Sequence, residues 1–301
     1  STLSRNKPQI HFNGTVKLNI PIGWYRRILP LPNGDLVRGS RGNLIEIWDL
    51  QKGIIKRNLI SSYSRPFVFG LLSNGDLVAG YIYSKTLLVW DLKITNGEPL
   101  KRIIQTNDSF WCMTVLKNDD LAIGQKGNGN DIIIRDSQNG LIKKKLVGHL
   151  STVYQIIELP NGNLVSCSDD KTVKVWNISN GAVIKSITHE TDVHSIAFLP
   201  NGYLVSGLYG GTINIWNLET NQLIRNLIGH RNIICSNNCL HVLANGDLLS
   251  GSWDKTIKVW NPSDGTLKFI SPLQKDYVYQ LAVLPSGNFI SSSYYELIVW
   301  N

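Results

Sequence analysis

Histidine, cysteine, acidic and glycine-rich clusters are the places where this 301-residue chain could do chemistry, and each falls short of a working motif. His189-Glu-Thr-Asp-Val-His194 sets two histidines around a carboxylate, as zinc hydrolases do. The spacing is one residue too long, and a loop running into a strand cannot put both imidazoles on one helical face. Gly124-Gln-Lys-Gly127-Asn-Gly129 has the glycine content of a phosphate loop but no Gly-Lys-Ser/Thr end and no following helix, so it reads as an enlarged turn. His230, Cys235, Cys239 and His241 are zinc-ligand types in a stretch about three residues longer than its counterparts. Their spacing fits no structural zinc site, and His241 aligns with apolar core positions such as Ile157. No G-x-S-x-G elbow is present, and no serine or cysteine has a base at a telling distance. The expectation is a chain without catalytic residues, metal or cofactor.

The elements that carry these residues are set by a repeat. Trp-Asp, Trp-Asn or a remnant of it closes a strand at Trp48, Trp90, Arg135, Trp176, Trp216, Trp260 and Trp300, at spacings of 42, 45, 41, 40, 44 and 40 residues. Before each stands a turn: Asn33-Gly34, Asn74-Gly75, Asn118-Asp119, Asn161-Gly162, Asn201-Gly202, Asn245-Gly246 and Ser286-Gly287. Both Asn and Gly tolerate the positive φ of a type I′ hairpin, so two strands around a tight turn are expected between turn and signature. A further turn at Gly53, Gly140, Gly181, Asn221 or Gly265 precedes a fourth, short strand. The seventh signature ends the chain, and Asn13-Gly14 with residues 15–20 supply the missing turn and strand from the other terminus. The prediction is an all-β, seven-bladed propeller of four-stranded antiparallel blades over 13–301, closed by the N-terminal strand, with 1–12 as a tail or linker.

The pattern resembles the WD-repeat family. That family has a Gly-His, Ser, Asp, Trp hydrogen-bond network in each blade, complete twice here: His149, Ser166, Asp170, Trp176 and His230, Ser250, Asp254, Trp260. The fifth blade keeps His189, Ser206 and Trp216 but has Gly210 for Asp, the first has Arg38 and Gly42, and the third replaces Trp with Arg135. The resemblance implies a protein-interaction scaffold, with partners met on the face that bears the loops into the innermost strands.

Hydrophobic residues at 43% and charged residues at 17% fit one globular domain, and no apolar run is long enough to cross a membrane. Cys112, Cys167, Cys235 and Cys239 form no CxxC pair or disulfide framework, which points to a reducing cytoplasm or nucleus. Residues 1–150 carry 21 Lys and Arg against 11 Asp and Glu, +10, and 151–301 carry 9 against 11, −2. An acidic partner is one reading. The plainer one places Lys17, Lys56, Lys101 and Lys143 in outermost strands, where charge blocks edge-to-edge aggregation. Nucleic acid is disfavoured, because no recognition helix or ribonucleoprotein motif accompanies the charge.

Three tryptophans stand outside the signatures: Trp24, Trp111 and Trp253. Blade alignment places all three on one face with Arg26, Arg41, Arg65, Phe67, Tyr154, His194, Tyr209, Tyr277 and Tyr279, and at least two of the three are expected to be exposed. Aromatic and Arg side chains are the usual anchors of binding surfaces. The predicted function is non-catalytic binding of a peptide or protein there, as a monomeric module of a larger protein. A ubiquitin-binding or substrate-adaptor propeller is the nearest alternative, and a hydrolase or lyase sited in the channel is the alternative of another class.

Overall fold

The computed structural model describes residues 16–21, 27–40, 42–127, 129–236 and 238–301. The predicted tail and the Asn13-Gly14 turn lie outside the described residues, as do Trp24, Arg26 and Arg41. Among the described residues, 28 strands form seven four-stranded antiparallel sheets and no helix. None of them forms a helix long and apolar enough to cross a membrane. The fourth blade is representative: Val153–Glu158, Leu164–Ser168, Thr172–Trp176 and Val183–Thr188 pair in that order from innermost to outermost.

The turns fall where expected but are built differently. Gly162 has φ +83°, while Asn161 stays on the negative side. Gly162 N donates to Leu159 O at 3.0 Å and Leu159 N to Asn163 O at 2.8 Å, which makes a type I turn followed by a left-handed residue. Asparagine recurs because its side chain accepts from the amide two residues on, as in Asn163 N to Asn161 Oδ1 at 3.1 Å. Asp119, at φ +65°, takes the left-handed place in the third blade. The second signature residue has an analogous role: Asn177 Oδ1 accepts from Ser179 N at 2.9 Å, and Asp136 Oδ1 from Gln138 N at 2.7 Å. Either side chain serves because this contact uses only the oxygen.

Apolar faces of neighbouring blades form the core. Ile132, Ile134 and Leu146 of the third blade pack with Val153, Leu164 and Trp176 of the fourth, all buried. Second-strand glycines let the next blade approach: a Cβ on Gly124 would lie 2.9 Å from that of Val153. Innermost strands meet around the ring, and the seventh meets the first. There Gln280 Nε2 donates to Ile28 O at 2.8 Å, and Ile28 N donates back to Gln280 Oε1 at 3.1 Å.

Val16–Pro21 pairs antiparallel with Glu296–Trp300, in register at Leu18 with Val299 and Ile20 with Leu297. The N-terminal strand is thus the outermost strand of the last blade, as the repeat demanded. Outer-strand lysines in four blades are ion-paired to the Asp after the first turn: Lys56 to Asp35 at 2.7 Å, Lys101 to Asp76 at 2.8 Å, Lys143 to Asp120 at 2.5 Å and Lys268 to Asp247 at 2.6 Å. These lysines are thus tied into their own blades, while the net surplus of +10, already counted after every Asp and Glu, stays on other side chains.

Two of the four cysteines pair, although their spacing showed no disulfide framework. Cys235 and Cys239 form a disulfide with Cα atoms 5.5 Å apart, while Cys112 and Cys167 are buried and free. Cys235 N donates to Gly251 O and Gly251 N to Cys239 O, so the insert leaves and rejoins the innermost edge at one residue and brings the two sulfurs together.

Candidate functional site

Blades two to five share an irregularity in the innermost strand. The pairing register shifts between Pro66 and Val68, Phe110 and Cys112, Val153 and Gln155, and Val193 and Ser195. The extra residues are Phe67, Trp111, Tyr154 and His194, four of the predicted contact residues. A bulge leaves one residue out of the ladder and re-aims its side chain. Repeated at one position of successive blades, it sets four rings side by side.

The rings touch in sequence. Centroids are 5.0 Å apart from Phe67 to Trp111, 6.1 Å from Trp111 to Tyr154, 4.4 Å from Tyr154 to His194 and 5.7 Å from His194 to Tyr209. Arg27 lies 4.4 Å over Phe67 and Lys126 4.3 Å over Trp111, so cations cover one end of the row. A second group joins the last two blades: Trp253 stacks on Tyr277 at 5.4 Å and meets Tyr279 at 5.9 Å, and Tyr279 meets Tyr294 at 4.8 Å. Lys255 is 5.9 Å from the Tyr277 ring.

Not every predicted contact residue can reach a partner. His194 and Tyr279 are buried at 7% and 8% exposure, because flanking rings cover them; they support the surface rather than form it. Trp111 and Trp253 are half-buried, so neither tryptophan is fully open. Tyr209 and Tyr277 are exposed. Arg65 is exposed but belongs elsewhere, 5.5 Å over the Tyr83 ring. Arg27, Lys126 and Lys255 were not anticipated. Lys126 directly follows its second strand just as Asp169 and Tyr209 follow theirs, so the blade alignment contained it.

The middle of the row is acidic. Tyr154 Oη donates to Asp169 Oδ1 at 2.9 Å, and Ser151 Oγ donates to Asp169 Oδ2 at 3.2 Å. Burial, reinforced by Asp169, raises the Tyr154 phenol and keeps it protonated. Burial and the adjacent Asp169 charge raise the Asp192 carboxyl. Burial pushes His194 down to about 4 against the attraction of Asp169. The rim therefore runs from a cationic sector at Arg27 and Lys126 to an anionic one at Asp169 and Asp192.

Beneath the rim, a small cavity of about 70 Å³ is lined by Arg27, Phe67, Cys112, Thr114, Gln155, Asn238 and Gln280 among others. No carboxylate or imidazole is among its described lining residues. Gln155 Oε1 accepts from Ser195 Oγ and Ile196 N, both at 2.9 Å, so this amide ties two blades together. The four zinc-type residues of the sixth blade do not converge. His230 belongs to the blade network, the cysteines are bonded to each other, and His241 Nε2 lies between Asn238 O at 3.1 Å and Leu281 O at 3.0 Å.

The two complete blade networks are present. Trp176 Nε1 donates to Ser166 Oγ at 2.8 Å, Ser166 Oγ is 2.6 Å from His149 Nε2, and His149 Nδ1 is 2.7 Å from Asp170 Oδ2. Trp260, Ser250, His230 and Asp254 repeat this at 2.8 Å throughout. Elsewhere substitutes act. Glu46 accepts from both Arg38 and Trp48 in the first blade, at 2.9 and 2.8 Å. Arg135, standing for Trp, donates to Gly140 O at 2.8 Å and Thr106 O at 2.9 Å.

Comparison with known proteins agrees with this architecture. The chain matches the family described as WD domain, G-beta repeat, over residues 140–177, 181–217 and 221–261. Those are the blades where the signature is best kept. Over 132 residues it is 28% identical to Protein tipD of Dictyostelium discoideum, a match spanning 44% of this chain and 21% of tipD. Its fold is similar to the crystal structure of the WD40 beta propeller domain of Doa1, with a TM-score of 0.78 and 19% identity, covering 95% of this chain and 96% of that one.

Proposed function

This chain is a WD-repeat β-propeller, a fold that typically serves protein interaction, and on that premise we propose that it binds a peptide or protein loop along the row of rings from Phe67 to Tyr209. The observation that supports this reading is the bulge repeated in four consecutive blades, each presenting one ring of the row. A rigid ring of blades holds these side chains in place before a partner arrives, so little ordering entropy opposes binding. Trp111, Tyr154 and Tyr209 supply apolar area, Arg27 and Lys126 attract acidic groups, and Asp169 attracts basic ones. The preferred segment carries an acidic residue towards the second and third blades and a basic residue towards the fourth and fifth. The tipD match covers about a fifth of that protein, which supports a role as one module of a longer chain.

The test compares proteins captured from a cell extract by the wild-type domain and by a Trp111→Ala, Tyr209→Ala variant that keeps its melting temperature. A set of proteins lost selectively from the variant is expected, with affinity down roughly 30-fold or more for each anchor that is a hot spot. Identical capture by both would refute the assignment of this rim.

A further inference from the structure

We propose that Asp169, Asp192 and His194 form a binding site for a divalent transition-metal ion of the zinc class on the rim between the fourth and fifth blades. One ligand atom from each lies within 4.8 Å of the others, the one such group among the described residues. Asp169 follows the second strand of the fourth blade, and Asp192 and His194 open the fifth. The site is therefore shared across a blade boundary that the fold already fixes. Asp192 O accepts from Tyr209 N at 3.0 Å and Asp169 N donates to Thr152 O at 3.1 Å, so backbone contacts hold both acidic residues.

The imidazole is the second, independent sign of a ligand. His194 is 93% buried, taking the complement of its 7% exposure, and its Nδ1 has no hydrogen-bond partner among the described residues. An imidazole nitrogen without a partner is costly in a protein interior. Metal ligation through that nitrogen would satisfy it. Asp169 and Asp192 bring two like charges together, a repulsion that a shared proton or a bound cation relieves.

Outer contacts complete the site. Tyr154 and Ser151 donate to the two oxygens of Asp169, while the Tyr154 and Tyr209 rings flank His194 at 4.4 and 5.7 Å and fix its plane. Such supporting contacts orient ligands and tune metal sites. Two carboxylate oxygens with one imidazole nitrogen suit zinc and its neighbours; calcium and magnesium prefer oxygen alone. Asp169 and Asp192 are only half-buried, which leaves an entry path and open coordination positions. His189, the other histidine of the apparent hydrolase motif, bonds Ser206 Oγ at 2.8 Å inside its blade and takes no part.

Titration of the metal-free chain with Co²⁺, followed by its visible absorption, and with Zn²⁺ by calorimetry tests the site without any partner protein. One equivalent is expected to bind, with no thiolate band and no competition from excess Mg²⁺. Asp192→Asn and His194→Gln should abolish saturation, and Tyr154→Phe should weaken it about tenfold. The unchanged melting temperature of Asp192→Asn without metal verifies that loss of binding is not loss of fold. Absence of saturable binding at millimolar metal, binding retained in both ligand variants, or a cobalt–thiolate band from Cys235 and Cys239 would each overturn the proposal.

Discussion

Removing one hydroxyl should have very different consequences in two blades that look alike. In the fourth, Asp170 can only accept, so His149 Nδ1 carries the proton and His149 Nε2 accepts from Ser166, whose oxygen accepts in turn from Trp176 Nε1. Ser166→Ala therefore strands two buried groups, the indole N–H and the imidazole Nε2. In the fifth, Gly210 replaces Asp, and Trp216 Nε1 already lacks a hydrogen-bond partner among the described residues. Ser206→Ala there strands only His189 Nε2, whose bond to Ser206 is 2.8 Å long. At about 1–3 kcal/mol for each buried polar group left unpaired, the first substitution costs about 2–6 kcal/mol and the second about 1–3. Both serines are fully buried, so solvent cannot replace either hydroxyl.

Urea unfolding of the two variants beside the wild type reads this difference directly. Ser166→Ala should lose about 1–3 kcal/mol more than Ser206→Ala at unchanged denaturant dependence. Trp176→Phe in the Ser166→Ala background should then recover part of the loss, since the stranded N–H is gone. Equal losses in the two blades, within about 0.5 kcal/mol, would show that the chain Trp–Ser–His–Asp does not act as a connected unit.

Burial pushes His189 down to about 4, whereas an unfolded histidine titrates near 6.5. The unfolded chain thus binds a proton that the folded chain refuses, and stability should fall by about 3 kcal/mol as pH drops from 6.5 to 4, with His194 adding to the same window. Asp170 and Asp254 are held well below the usual carboxylate range because bonds from His149 and His230 outweigh their burial, so their contribution, present above pH about 4, fades only at lower pH. Unfolding free energies measured from pH 7 to 3 check both, and His189→Gln should flatten the upper part of the slope. At the ring closure, Ile20 is buried among Ile28, Leu297 and Val299 while Lys17 on the same strand is exposed. Ile20→Ala should cost about 2–5 kcal/mol and Lys17→Ala less than about 0.5; equal melting temperatures would rule out the N-terminal strand as the closing element.

What was legible in the sequence, and what was not, divides along one physical line. Every blade must bury the same faces and turn at the same places, so Trp176 and its counterparts counted the blades, and residues 15–20 could be assigned to the last sheet from the repeat alone, where the strand Val16–Pro21 lies. Departures were legible as departures but not as solutions: nothing in Arg38 foretold that Glu46 would accept from both it and Trp48. The turn residues were placed correctly and their geometry was not, because Asn tolerates positive φ and yet is retained here for its side-chain oxygen. The same limit governs the candidate site. Blade alignment put Phe67, Trp111, Tyr154 and His194 at one position, but whether those residues sit in the ladder or are bulged out of it is decided by pairing between strands.

Pairing between distant segments is also why side-chain clusters are hard to read from spacing. Asp169 stands 23 residues before Asp192 and His194 two after it, so the grouping of the three crosses a blade boundary that the motif from His189 to His194 does not span. Cys235 and Cys239 were grouped as zinc-ligand types, and their pairing with each other follows from both bonding Gly251 across the strand edge. In each case the geometry belongs to a junction, blade against blade or insert against strand, and a periodic sequence reports its period far better than its junctions. The rim of this propeller is made of junctions, which is why blade alignment can place residues such as Lys126 and Asp192 on it while their neighbours across the boundary are set only by the folded ring.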